Sequence, residues 1–256
     1  MSSQEFKQML KDSDVFRFLM DVVRLATSFS EYTLYLKCKS RYIWIFDDTI
    51  VLFCCKEFYK SEFVEGMMEN CRKTERERMT NGESFFTNDP QLMEDKKNAR
   101  ILCSRFNSSP EDESLRKALL KQLFGHCGER IAIKPPFHCD YGYNIFAGDD
   151  LFINFDCVFL DAAPIRIGEH CMIGPKTCIY AIGHPLDAES RREKIGIPKP
   201  VTIGDNVWIG GGVTILPGVS IGDSTVIAAA SVVTKSFPDH VVIAGNPAKI
   251  IKNIEE

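Results

Sequence analysis

The residues best suited to chemistry in this chain gather around one histidine. His184 stands in Gly183-His184-Pro185, where a regular pattern of spacing breaks off. Imidazole titrates near neutrality, so a histidine on an irregular loop is a candidate general base. The other four histidines, His126, His138, His170 and His240, are read as structural, because their spacing offers no convergent three-histidine zinc site. Trp208 lies in DNVWIGGG, where an outward indole would pack against a ligand or a second chain. Gly210, Gly211 and Gly212 follow it. Glycine lets a backbone N–H come close to a reacting carbonyl, as an oxyanion donor must. Lys235, Lys249 and Lys252 are cations of the kind that hold phosphates, and equally of the kind that simply face solvent.

Charge and composition exclude other classes. The chain has 256 residues, with 31 Lys+Arg against 35 Asp+Glu and a formal charge of −4, which gives no electrostatic case for nucleic-acid binding. Hydrophobic residues at 45% and charged residues at 26% fit a globular protein rather than a disordered, collagenous or coiled-coil one. The ten cysteines contain no CxxC pair. Lys7, Lys11, Asp12, Asp14 and Arg17 interrupt the opening stretch, which does not read as a signal peptide. The apolar run from Ile43 to Cys55 is broken by Asp47 and Asp48 and is too short to cross a bilayer. The thiols are therefore expected to be reduced core fillers of a cytoplasmic protein, with no metal bound.

The elements that must position these groups are legible as a repeat. An aliphatic residue returns every six positions at Ile167, Ile173 and Ile179, and again from Ile203 through Ile209, Ile215, Ile221 and Ile227 to Val233. A looser version appears at Ala147, Ile153 and Phe159. Four positions after each aliphatic comes a small or β-branched residue, such as Cys171, Thr177, Val213, Thr225 or Ser231. A helix of period 3.6 cannot keep a period of six, whereas a short strand with alternating side chains plus a turn can. Three such units close a triangular coil, and coils stack at about 4.8 Å. The spacing thus predicts a parallel β-helix. Between Ile179 and Ile203 the polar, Pro-rich run AIGHPLDAESRREKIGIPKP must loop out, and His184 lies on it.

Upstream, residues 74–125 read as helices that cap the apolar end of the coil. Asp89-Pro90 and Ser109-Pro110 look like N-cap and first-turn pairs, and Leu115, Leu119, Leu120 and Leu123 form one apolar face. Residues 1–71 carry a helical stripe from Phe6 to Ala26, then three strand-like runs, YTLYLK, RYIWIF and IVLFCC, with a turn expected at Asp47-Asp48-Thr49. The expected organisation is an α+β extension of unknown function over 1–71, a helical cap over 72–128 and a β-helix over 129–256.

Together the runs KTERERMTNGESFF, FHCDYGYNI, NFDCVFLDAAPIRIGEHCMIGP, GHPLD, KPVTIGDNVWIGG, ILPGVSIGDSTVIAAASVVTK and AGNPAKIIK resemble the maltose and galactoside O-acetyltransferases of the hexapeptide-repeat acyltransferase superfamily, the maltose type most. The resemblance runs from about Thr74 to about Ile254 and leaves residues 1–71 without a counterpart. It implies a mainly β, left-handed parallel β-helix and a homotrimer with each site between two coils. It also implies direct transfer of acetyl from acetyl-CoA to a sugar hydroxyl. His184 matches the general base, the Asn154 backbone the group that orients the imidazole, and the Gly211 N–H the oxyanion donor. Trp208 would flank the site, while Ala229, Thr234 and Lys235 would line the pantetheine and phosphate track. Lys249 and Lys252 match basic positions near the CoA 3′-phosphate. Asp140 and the side chain of Asn154 match acceptor contacts, and Asp161 adjoins another, where this chain has Ala162. Two alternatives remain. One is the same chemistry on an amino sugar, oligosaccharide, antibiotic or serine; the other is a non-catalytic solenoid that serves assembly.

Overall fold

The computed structural model describes residues 73–109 and 111–255, together with the backbone of four strands upstream. The chain divides into two compact units, residues 1–73 and 74–256. In the first, strands Leu34–Cys38, Arg41–Phe46, Thr49–Cys54 and Glu57–Phe58 form an antiparallel meander, with Tyr35 opposite Trp44 and Trp44 opposite Val51. The expected helical stripe from Phe6 to Ala26 and the turn residues Asp47 and Asp48 lie outside the described residues.

The second unit opens with three helices whose starts are chemically marked. Helix α1 (Glu75–Thr80) has a capping box, in which the Thr74 hydroxyl accepts from the Glu77 N–H and the Glu77 carboxylate accepts from the Thr74 N–H. Helix α2 (Pro90–Asn107) starts on Asp89, as the Asp-Pro pair predicts. Helix α3 (Glu113–Leu123) corrects the second expectation: its N-cap is Asp112, not Ser109. The Asp112 carboxylate accepts from the Leu115 N–H at 2.8 Å, whereas the Ser109 hydroxyl turns back to the Arg105 carbonyl. A carboxylate near a helix start also meets the positive end of the dipole, which a hydroxyl bonded backwards cannot do.

The remainder is a parallel β-solenoid of about six turns with three faces. The first face runs through 132–133, 152–153, 172–173, 208–209, 226–227 and 241–245, and strand 248–253 folds back antiparallel on its end. The second runs through 137–139, 157–160, 178–180, 214–215 and 232–233. The third runs through 126–127, 145–147, 165–167, 201–203 and 220–221. Identical side chains stack in register, as with Ile173 on Ile209 on Ile227 on Ile243, all buried. Each such isoleucine removed from water contributes about 1.5–3 kcal/mol. Leu119, Leu120, Leu123 and Phe124 join the same core from the cap, and Phe124, Phe137 and Phe159 meet edge to face.

The corners explain two recurrent residue types. After most third-face strands comes Gly-Asp or Gly-Glu. A Cβ on Gly204 would lie 2.1 Å from the Asp223 carboxylate of the next turn, which accepts from the Asp205 N–H. Asp205 holds Glu169 in the same way, and Asp239 holds Asp223. Glycine is required because the next turn's carboxylate fills its side-chain space. The small inward residues do more than save room. Thr177 donates to the carbonyls of Gly174 and Gly210, Cys171 to that of Gly204, Cys157 to that of Gly174, and Thr225 to that of Pro238. Burial pushes the thiols of Cys157 and Cys171 up to about 11, so they remain neutral donors. Cys103 and Cys139 are buried free thiols 3.7 Å apart, as the reading of reduced core fillers requires.

The repeat slips at one corner only. Between the second and third faces, the steps Cys139 to Ala147 and Phe159 to Ile167 are each two residues longer than six, and Ile179 to Ile203 carries the whole excursion. These three irregular segments are therefore stacked on one edge.

Candidate active site

The excursion is an organised loop. Strand Ile182–Gly183 pairs antiparallel with Ile195–Pro198, and helix α4 (Ala188–Arg192), capped by Asp187, lies between them. Phe85–Phe86 of the cap adds a third strand, with Phe86 opposite Ile195 and Phe85 opposite Gly196. Thr87 extends this join, its N–H and hydroxyl both donating to the Lys194 carbonyl at 2.9 Å. The helical cap thus holds the loop as well as closing the solenoid, a pairing that spacing alone could not reveal.

His184 is exposed at the head of this loop, and its Nδ1 lies 2.8 Å from the Ile195 carbonyl. A carbonyl only accepts, so Nδ1 carries the proton and the neutral ring keeps its Nε2 lone pair. Within this chain the Ile195 carbonyl therefore orients the imidazole. The Asn154 N–H donates to the Ile173 carbonyl, and its side-chain oxygen accepts from the Phe155 N–H.

A cleft of about 570 Å³ lies at the corner between the first and second faces. Asn154, Trp208, Gly211 and Ala229, four of the predicted residues, line it together with Met172 and Pro175. Trp208 is 54% exposed, as its outward phase requires. The N–H groups of Gly210 and Gly212 donate to the carbonyls of Ile227 and Pro175, while that of Gly211 has no acceptor among the described residues. An N–H left open in this way is available to an oxyanion. A Cβ on Gly174 would lie 2.5 Å from the Gly211 nitrogen, and one on Gly210 would lie 2.6 Å from the Ala229 nitrogen. The glycines bring three turns close enough to shape the cleft.

The other predicted residues lie elsewhere. Thr234 and Lys235 are exposed beyond the last second-face strand, and Lys249 and Lys252 are exposed on the returning strand. Asp140 lies on the slipped corner, its carboxylate 3.6 Å from the Lys96 ammonium of α2. Lys96 also lies over the Tyr141 ring, Arg76 lies over the Tyr143 ring, and the Tyr143 hydroxyl donates to Asp95 at 3.1 Å. Sequence reasoning missed this helix-to-turn join. Its signal was the DYGY run facing a charged stripe on α2.

Asp161 corrects an expectation. Its side chain is wholly buried and cannot touch a ligand. One carboxylate oxygen accepts from the N–H groups of Asp140 and Tyr141 at 3.0 and 2.9 Å, and the other faces the Asn144 N–H at 3.4 Å. Burial, the largest effect, pushes this carboxyl up to about 6, against the pull of those N–H groups.

No group of three or more His, Cys, Asp or Glu among the described residues could hold a metal ion, and no helix there is long and apolar enough to cross a membrane.

Stacked hexads, a helical cap and a cleft with an open backbone donor define a hexapeptide-repeat transferase. The maltose acetyltransferase hexapeptide capping motif matches residues 78–128, the hexapeptide repeat of succinyl-transferase matches 164–186, and the bacterial transferase hexapeptide matches 200–235. A Saccharomyces cerevisiae protein named as an acetyltransferase is 46% identical over 182 residues, covering 70% of this chain and 93% of that one. The galactoside O-acetyltransferase of Escherichia coli is 38% identical over 181 residues, covering 70% and 89%. The crystal structure of a maltose O-acetyltransferase from Clostridium difficile superposes with TM-score 0.70 at 47% identity, covering 72% of this chain and 99% of that one. A Vibrio cholerae hexapeptide-repeat acetyltransferase in complex with acetyl-CoA superposes with TM-score 0.68 at 42% identity, covering 72% and 100%. This chain belongs to the hexapeptide-repeat acetyltransferase family with a maltose-acetyltransferase cap.

Proposed function

We propose that the protein moves acetyl from acetyl-CoA to a sugar hydroxyl by direct attack, with His184 as general base. The observation that carries this reading is the His184 ring, held through Nδ1 by the Ile195 carbonyl with Nε2 left to accept a proton. Nε2 takes the acceptor hydroxyl proton as the oxygen attacks the thioester carbonyl. Negative charge develops on the carbonyl oxygen and is met by the open Gly211 N–H, a donor typically worth about 10²–10³ in rate. Collapse of the tetrahedral intermediate expels the CoA thiolate, which takes the proton back from the imidazolium. No acyl-enzyme forms, in keeping with the buried, neutral thiols of Cys157 and Cys171.

The site is shared between copies of the chain. The cleft lies at one corner of the solenoid and the His184 loop at the next, with the second face between them. A neighbouring copy, in the trimer the family resemblance implies, would bring its His184 to this chain's cleft. In this reading Asn154, Trp208, Gly211 and Ala229 meet the thioester end of the donor. Thr234, Lys235, Lys249 and Lys252 follow the donor towards its phosphates. Asp140 and Asn154 face the acceptor. The relatives' names favour a maltose or galactoside acceptor; glucose as a further acceptor and a cytoplasmic setting belong to the same proposal.

The test is thiol release from acetyl-CoA across maltose, glucose, galactosides, amino sugars and serine, with wild type beside His184→Ala. Sugar-dependent release lost in the variant supports both transferase and base, and ranks the acceptors. Release retained at full rate excludes His184 as the base. A folded protein inactive with every acceptor favours the assembly reading.

A further inference from the structure

The slipped corner holds a buried acid that no step of the reaction uses. Asp161 is wholly inside, in the second-turn corner, directly under the first-turn corner Asp140–Asn144. Its two oxygens take the N–H groups of Asp140, Tyr141 and Asn144, and the Asn144 side chain returns the contact by donating to the Asp161 carbonyl at 2.8 Å. The Ile165 N–H, one strand further, donates to the Asn144 carbonyl. No basic side chain is paired with this carboxylate among the ion pairs of the described residues; three backbone dipoles hold it instead. A buried charge held this way costs stability, and such a cost persists where it fixes geometry that something else depends on.

What depends on it is the turn. Asp140 projects from that turn to meet Lys96, and Tyr141 packs under the same ammonium. We infer that Asp161 is the positioning residue of the acceptor side: its carboxylate gathers three N–H groups of the Asp140–Asn144 turn and so aims Asp140. This rests on Asp140 facing the acceptor, as proposed above. Asp161 touches no substrate. The geometry needs the ionised form, because a protonated carboxyl would place an O–H against one of the N–H groups it now receives. The titratable and charged groups around it are Asp140 and Tyr141 on the turn, Tyr143 beyond them, Asp95, Lys96 and Arg76 from the cap, and the thiols of Cys103 and Cys139. Asp140 is the neighbouring charge that opposes its ionisation.

The experiment compares wild type, Asp161→Ala and Asp161→Asn in two measurements. Steady-state kinetics separate the KM for the acceptor from the KM for acetyl-CoA, between pH 5 and 8. Amide hydrogen exchange at one pH compares the segment Cys139–Phe146 with the coil Val226–Val233. Loss of the turn's anchor is expected to raise the acceptor KM about tenfold in Asp161→Ala, with the acetyl-CoA KM unchanged. Asp161→Asn falls between, because its Oδ1 still accepts from Asp140 and Tyr141 while its NH₂ opposes the Asn144 N–H. The wild-type acceptor KM should climb as pH falls through about 6, and the Asn variant should lack that climb. Exchange should quicken in 139–146 alone. An unchanged acceptor KM in both variants overturns the inference, as does an equal rise in both KM values or faster exchange throughout the coils. If Asp161→Ala does not fold, Asp161→Asn and the pH profile decide alone. If wild type transfers no acetyl to any sugar, the activity reading fails. The exchange measurement then still decides whether Asp161 holds the turn.

Discussion

Two stretches of this solenoid follow the same repeat to different degrees. From Ile203 to Val233 the aliphatics return every six residues without a break, and side chains stack like on like. From Cys139 to Ile203 every passage from the second face to the third is overlong. The regular stretch supplies one side of the cleft through Trp208, Gly210, Gly211 and Ala229, and the in-phase first-to-second corners of the turns before it supply the other through Asn154, Met172 and Pro175, with glycines packed too close for side chains. The irregular stretch supplies the protruding groups, the Asp140 turn and the His184 loop, with Asp161 buried beneath the turn. A coil in perfect phase points every side chain straight in or straight out. Extra residues at a corner free the backbone to aim groups sideways, and stacking them on one edge puts those groups together.

The largest expected effect breaks the irregular side alone. His184→Ala should lower kcat by about 10²–10⁴ while leaving the melting temperature unchanged, because the ring is exposed and bonded only to the Ile195 carbonyl. Kinetics beside a thermal melt would check it. The reverse holds in the regular stretch. Ile209→Ala, at a wholly buried position between Ile173 and Ile227, should cost about 2–5 kcal/mol in denaturant unfolding. Activity per folded molecule should survive at low temperature.

Asp161 should separate stability from function. Its carboxyl is raised from 3.8 to about 6 in the folded chain. The folded state therefore binds the proton more tightly than the unfolded one. That stabilisation is complete below about pH 4 and is lost as pH rises through 6. The resulting penalty near neutrality is on the order of 2–3 kcal/mol. Unfolding of Asp161→Asn, followed from pH 4 to 7, should lack this contribution and show a flatter stability profile than wild type. A profile parallel to wild type would assign the pH dependence to other groups. The smallest effect sharpens the link between cap and loop: Thr87→Val removes one hydroxyl hydrogen bond to Lys194 and should cost about 1 kcal/mol or less. It should raise the acceptor KM by a small factor, measurable in the same assay.

Much of this was legible in the chain because a solenoid repeats its physics. Ile167, Ile173 and Ile209 recur at six because each turn presents the same inward slot, and every one of them is buried. Trp208 follows as an outward residue from the same phase, and Asp89-Pro90 marks a helix start because a capping carboxylate and a fixed φ act locally. Ser109 misled for the opposite reason: the Ser-Pro pair has the right local chemistry, but the path of the chain between α2 and α3 sets the helix start three residues later, at Asp112. The candidate site was legible as residue types, through His184 on the broken repeat and Gly211 after the tryptophan. Its connections were not.

The sequence by itself determined the coil, its inward and outward faces and the place where the repeat departs, since each depends on spacing within a few residues. Only the tertiary structure decided that Asp161 lies inside with its charge spent on the Asp140 turn, that the Ile195 carbonyl meets the His184 Nδ1, and that Phe85–Thr87 of the cap holds the loop. Those contacts join segments from 11 to 107 residues apart. Nothing local encodes such a pairing. It exists because stacked turns bring distant corners to the distance of one hydrogen bond.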